Sequence, residues 1–317
     1  MNHQRRTTVA ITLLVLTCVV ANGRAEVKPP RLQVFILAGQ SNMEGQGVVA
    51  MDHPKYYNAG KGNLVWSIAH SKSNAQMKHL KNADGKWVVR NDVTISFRNK
   101  KGVCRGPLSI GFTGYGGKSH IGPELQFGHV IGNHLEQPVL LIKTAWGGKS
   151  LYKDFRPPSA GGTVGSYYTK MIEEVRAAVS KLGDREYDFA GFVWFQGWND
   201  MFNESALAEY EQNLVHLTAD VRKEFRQPAL PIIIGELGNG GPKANKNMLA
   251  IRSAQQAASA RIDSALFVST TAFARPADLS PNTGHGHHWF GNAESYFLVG
   301  DALGKGMVTL LQRGNRK

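Results

Sequence analysis

Four short stretches of the sequence carry residue types that together can transfer an acyl group. Gly39-Gln40-Ser41-Asn42-Met43-Glu44-Gly45 sets a serine between glycines, which permit a tight turn that would project the Ser41 hydroxyl. Trp146-Gly147-Gly148-Lys149-Ser150 offers backbone N–H groups left open by two glycines. Gln196-Gly197-Trp198-Asn199-Asp200 adds an amide side chain, and Gly284-His285-Gly286-His287-His288-Trp289 adds imidazole near the C-terminus. A serine hydroxyl is a weak nucleophile until a base takes its proton. The oxyanion that then develops needs fixed donors, each typically worth roughly 3–4 kcal/mol of transition-state stabilisation. Serine, base and donors are the parts for acyl transfer by a nucleophilic serine.

Competing chemistries fit less well. The histidines at 285, 287 and 288 invite a metal, but no His-Glu-x-x-His and no paired cysteines support one, so neither metal nor cofactor is expected. Gly117-Lys118-Ser119 and Gly148-Lys149-Ser150 resemble the end of a phosphate-binding loop. The earlier glycine that such a loop requires is replaced by Phe112 in one and Lys143 in the other. Met43 breaks the Gly-x-Ser-x-Gly elbow, which argues against the α/β-hydrolase fold. Asn199-Asp200 is also suited to cap a following helix. Trp146, Trp198 and Trp289 are suited either to stacking on sugar rings or to core packing.

The elements that must position these residues read as alternating strands and helices. Gln33–Gly39, Val139–Trp146, Phe189–Gly197, Pro231–Leu237 and Ala265–Thr271 are short, β-rich and continuously apolar, as strands buried on both faces are. Helical spacing covers Gly122–Leu135, Val164–Leu182, Glu204–Phe225, Asn245–Ala260 and Asn292–Leu311. The expected fold is an α/β/α sandwich around a parallel sheet of roughly five strands. In such a sheet ligands bind beyond the carboxyl ends of the strands, where Ser41, Gly147-Gly148 and Asn199 fall. A long segment, about 48–120, interrupts the alternation and is expected to wall the binding site, because long loops in compact domains usually carry function. Within it Lys86–Ser96 reads as a small hairpin or edge strand.

Composition sets outer limits. The chain has 317 residues, 42% hydrophobic and 19% charged, which is globular rather than disordered. Two cysteines exclude a disulfide scaffold. Residues 1–25 have the layout of a secretory signal: basic Arg5 and Arg6, an apolar run Val9–Val20, then Gly23-Arg24-Ala25. Residues 26–317 are expected to form a single domain. Loss of the signal would remove three arginines from a formal charge of +13 and leave Cys104 alone. The remaining positive charge suits an acidic partner, and export disfavours nucleic acid. No stable membrane insertion is expected after signal removal.

The four blocks together resemble the SGNH hydrolases. Within them Gly-Gln-Ser-Asn at 39–42, Ile121–Glu124 and Trp194–Gly197 are similar to the branch that contains sialate O-acetylesterases and carbohydrate esterase family six. The likeness spans about Gln33 to Gly304. It implies Ser41 as nucleophile, with Ser41 N–H, Gly148 N–H and the Asn199 amide as oxyanion donors and His288 as general base. His287 is the rival base. Two departures stand out: His285 occupies the position where the family often has the acid, and Trp198 replaces a glutamate found in related esterases. The group that orients His288 is therefore open, with Asp200, Glu124 and Asp278 as candidates in that order. Gln40, Asn42, Gly147, Gln196 and Trp198 complete the expected substrate contacts. The resemblance implies an exported esterase that removes O-acetyl groups from a carbohydrate. The alternatives are a carbohydrate-binding protein on the same scaffold with catalysis lost, and an esterase for non-sugar acyl groups.

Overall fold

In the computed structural model, which describes residues 29–314, the chain runs β1 (Leu32–Gly39), α1 (Ser41–Glu44), β2 (Gly47–Val48), α2 (Leu64–His70), α3 (Asn74–Met77), β3 (Arg90–Asn99), β4 (Gly102–Leu108) and β5 (His120–Ile121). It continues α4 (Glu124–His134), β6 (Val139–Ala145), α5 (Ser166–Ser180), β7 (Tyr187–Phe195), α6 (Glu204–Glu224), β8 (Ile232–Gly235), α7 (Lys246–Arg261), β9 (Ala265–Val268) and α8 (Ala293–Gly314). The expected signal segment lies outside the described residues. Among the described residues no helix is long and apolar enough to cross a membrane.

Seven strands form the main sheet in the order β4-β3-β6-β1-β7-β8-β9, all parallel except β4. The five strands expected from apolar runs are its centre and one flank. The other two come from the long segment: β3 joins β6 in parallel and β4 folds back as the antiparallel edge. The sheet is therefore two strands wider than expected. The hairpin sits at Arg90–Leu108 rather than Lys86–Ser96.

Alternation along β1 sends its side chains into two cores. Phe35 and Leu37 pack with Leu125, Phe127 and Ile131 of α4 and with Tyr296, Phe297 and Leu303 of α8. Val34 and Ile36 pack on the other face with Met171 and Val175 of α5, Leu214 of α6 and Ile251 of α7. Each such buried side chain contributes about 1.5–3 kcal/mol relative to exposure, so the two apolar layers rather than the turns hold the sheet flat between helices.

β1 is central, and the chain crosses over it between β6 and β7. The crevice beyond their carboxyl ends is where the strand order reverses. Register fixes what meets there: Gly39 pairs with Ala145 of β6 and with Phe195 of β7. Ser41, Gly147 and Gly197 each follow two residues later, so three of the four sequence blocks emerge level with one another. Gly39 has φ +155°, and a Cβ there would approach the Phe195 carbonyl oxygen to 2.2 Å, so only glycine brings the strands this close. A two-stranded antiparallel ribbon, Gly47 with Ile121 and Val48 with His120, closes the neck of the long segment.

Candidate active site

Ser41 opens the one-turn helix α1 and is buried except for a small exposed fraction. The first N–H groups of a helix have no partner within it. Among the described residues the backbone N–H of Ser41 and that of Gly148 donate to no protein acceptor. Gly147 and Gly148 are exposed, and Gly148 adopts φ +70° with open space where a side chain would stand. A Cβ added to Gly147 would lie 3.7 Å from that of Ser41, which puts the glycine turn beside the serine. Asn199 follows β7 in a half-buried turn, and among the described residues its side-chain amide has no protein partner. The residue that caps α6 is Asn203, which accepts from Ala206 N at 2.9 Å.

The imidazoles reach this edge from the far end of the chain through Asn42. Its Nδ2 donates to the His287 carbonyl at 3.0 Å, and its Oδ1 accepts from the Tyr296 hydroxyl at 2.7 Å. That hydroxyl also lies 3.3 Å from the His288 carbonyl. The residue next to the serine thus ties down the histidine segment. The rings of His287 and His288 stand 4.0 Å apart, and that of His287 is 5.7 Å from Trp198. Burial, reinforced by the His287 and His285 charges, lowers the His288 pKa to about 4. Its ring is therefore neutral near pH 7, the form in which imidazole accepts a proton.

Two of the three candidate acids are engaged elsewhere. Asp200 accepts from Leu151 N and Tyr152 N, both at 2.9 Å, and from Gln196 Nε2 at 2.6 Å. It holds the loop after β6, and burial outweighs these bonds and raises its pKa to about 6. Glu124 accepts from Lys143 Nζ and Gly122 N, both at 3.0 Å. Asp278 is exposed in a 3-10 turn, where its main-chain carbonyl accepts from Asn58. Among the described residues no carboxylate is hydrogen-bonded to the His288 ring.

Several expected substrate contacts turn inward. Gln40 Oε1 accepts from Gly197 N at 3.0 Å. Gln196 Nε2 serves Asp200 and the Lys149 carbonyl, and its Oε1 lies 2.9 Å from the Tyr210 hydroxyl. With Asn42 these side chains line an inner void of about 10 Å³, because buried amides must find partners in the protein. Trp289 is 1% exposed and belongs to the core. Trp198 is half-buried, with its edge toward Phe202, a residue 67% exposed.

Open space lies beside Glu44 and Gly147. A cavity of about 460 Å³ reaches the glycine turn at Gly147 and is bordered by Arg98, Lys100, Lys149, Lys170, Trp146 and Tyr115. The long segment supplies Arg98, Lys100 and Tyr115. Lys170 Nζ lies 4.9 Å above the Trp146 ring and Lys149 Nζ 4.4 Å above that of Tyr167, so ammonium groups cover these aromatic faces. Glu44, to which the sequence blocks gave no role, also borders the cavity and accepts from Gly147 N at 3.2 Å.

A family model described as carbohydrate esterase, sialic acid-specific acetylesterase matches residues 31–308. The chain belongs to that family. It is therefore a carboxylic ester hydrolase of the carbohydrate O-acetylesterase kind. This esterase is 27% identical over 237 residues to an Arabidopsis thaliana protein named "Probable carbohydrate esterase", covering 72% of this chain and 75% of the relative. Among solved structures, an Arabidopsis thaliana protein aligns at a TM-score of 0.59 and 17% identity over 89% of this chain and 99% of its own. NanS aligns at 0.58 and 15% identity over 92% of this chain and all of its own. At these identities the structural likeness speaks for the fold, a helix-flanked, largely parallel sheet.

Proposed function

We propose that this esterase is exported and removes O-acetyl groups from a carbohydrate through an acetyl-Ser41 intermediate. The single observation that carries the reading is the Asn42 side chain, which binds the His287-His288 segment to the turn that presents Ser41. Ser41 Oγ attacks the acetyl carbonyl as the His288 ring takes its proton. Ser41 N–H, Gly148 N–H and the Asn199 amide hold the oxyanion. The tetrahedral adduct collapses, and the imidazolium returns the proton to the departing sugar oxygen. Water then attacks the acetyl-serine with the same ring as base and releases acetate. With no carboxylate on His288 among the described residues, the imidazolium gains less stabilisation than in a full triad.

The cavity beside Gly147 is the place for the sugar, and its border of basic side chains suits an acidic one. Export rests on the basic, apolar and small-residue order of residues 1–25.

The test is acetate release from an aryl acetate and from a panel of O-acetylated sugars, wild type against Ser41→Ala. Loss of the nucleophile is expected to lower kcat by roughly 10⁴-fold or more with the melting temperature unchanged. Sugar binding without turnover by the wild type would mark a carbohydrate-binding protein instead, and turnover confined to lipid esters would remove the sugar.

A further inference from the structure

We propose that Glu44 is a positioning residue that fixes the oxyanion turn after β6 against the nucleophile helix. The inference rests on the acetyl-serine reading above. Glu44 stands three residues after Ser41 on α1, so its carboxylate lies on the serine's side of that single turn. Its Oε2 accepts from Gly147 N at 3.2 Å. A Cβ at Gly147 would stand 3.5 Å from the same oxygen and 3.7 Å from Ser41 Cβ, so the glycine touches both residues of the helix. The carboxylate is itself held. A Cβ at Gly114 would come within 2.1 Å of Oε1, so the glycine of that loop packs directly on it. The Glu44 carbonyl accepts from buried Lys143 Nζ at 2.8 Å, which pins the end of the helix.

The other bonds flank the two glycines: the Lys149 carbonyl after them accepts from Gln196 Nε2 at 2.9 Å. Trp146 N donates to the Gly39 carbonyl at 3.2 Å, one residue before. Gly147 and Gly148 are then exposed, and backbone freedom is greatest at consecutive glycines. The bond to Glu44 sets the plane of the Trp146–Gly147 peptide, and the Gly148 N–H takes its direction from there. A donor fixed before the reaction needs no reorganisation as the oxyanion forms, so Glu44 acts on the transition state through Gly148. The carboxylate also borders the sugar cavity, and the experiment separates the two roles.

Steady-state kcat and KM on an aryl acetate and on one O-acetylated sugar are measured for wild type, Ser41→Ala, Glu44→Ala, Glu44→Asp and Glu44→Gln. Glu44→Ala, and Glu44→Asp with a side chain too short to reach Gly147, are expected to lose at least about tenfold in kcat on both esters with KM within about twofold. Glu44→Gln keeps an oxygen acceptor of the same reach and is expected to hold kcat within about threefold of wild type. Glu44→Asp also keeps the carboxylate, so it tests the proposal should Glu44→Ala fail to fold. Full kcat in Glu44→Asp, a change confined to KM for the sugar, or Glu44→Gln as slow as Glu44→Asp would each overturn it. Full activity in Ser41→Ala would instead bring down the acetyl-serine reading on which it stands.

Discussion

In the proposed mechanism the state of one imidazole governs how the site responds to acid. His288 has a pKa lowered to about 4, first by burial and then by its two histidine neighbours. A base must be unprotonated to act, so kcat/KM for an aryl acetate should stay flat from neutral pH to about pH 5 and fall by half near the pKa of the free enzyme. His287→Ala removes a like charge 4.0 Å away, ring to ring, and should move that acidic limb upward in pH. A downward or absent shift would deny the coupling, and total loss of activity in His287→Ala would make His287 the base. At this scale the sequence was legible where the backbone needs a particular residue, as in the tight turn that carries Ser41 between its glycines. It was not legible where a side chain turned inward. Gln40, Gln196 and Asp200 have the right types for substrate work, but each is buried against a partner supplied by another strand or loop.

Among the elements, the joint between α1 and α8 holds the segment that carries the proposed base. Tyr296 is fully buried in α8, and its hydroxyl meets both Asn42 and the His288 carbonyl. Tyr296→Phe leaves the ring packing and removes these contacts. The expected cost is about 1–2 kcal/mol of stability, read from denaturant unfolding. A fall of several-fold in kcat should accompany it, and unchanged kcat would show that the histidine segment holds without α8. No sequence pattern announces a bond between residues 254 positions apart. The strands were legible in proportion to burial. Val139–Ala145 is buried at every position and reads plainly, whereas β4 contains Gly106 and Pro107 and exposes Cys104 and Arg105, so its side chains carry no apolar period. β3 alternates only in part, which is why its place beside β6 was not evident.

Across the whole molecule, one buried ion pair joins the pieces. Lys143 on β6 and Glu124 at the start of α4 are both fully buried at 3.0 Å, with the ammonium 4.6 Å over the Phe97 ring of β3. Burial drives the lysine pKa down, and Glu124 opposes it. Glu124→Ala leaves that ammonium without its partner and should cost about 3–5 kcal/mol in unfolding free energy. Replacing both together, Glu124→Leu with Lys143→Met, should recover most of the loss, since a buried pair often gives way to apolar packing at little net cost. A double variant no better than the single one would mean that the Lys143 bond to the Glu44 carbonyl matters more than the pair.

The little ribbon of β2 and β5 gives the long segment an anatomy of its own. By pairing residue 48 with residue 120 it brings the two ends of the excursion together, while β3 and β4 between them stay built into the main sheet. The groups proposed to break the ester bond lie outside that closure, while Arg98, Lys100 and Tyr115 on the border of the cavity lie within it. The segment thus has two parts, strands built into the sheet and loops at the surface. Exchanging Lys100 and Tyr115 in those loops would redraw the border of the cavity and leave the sheet beneath it standing.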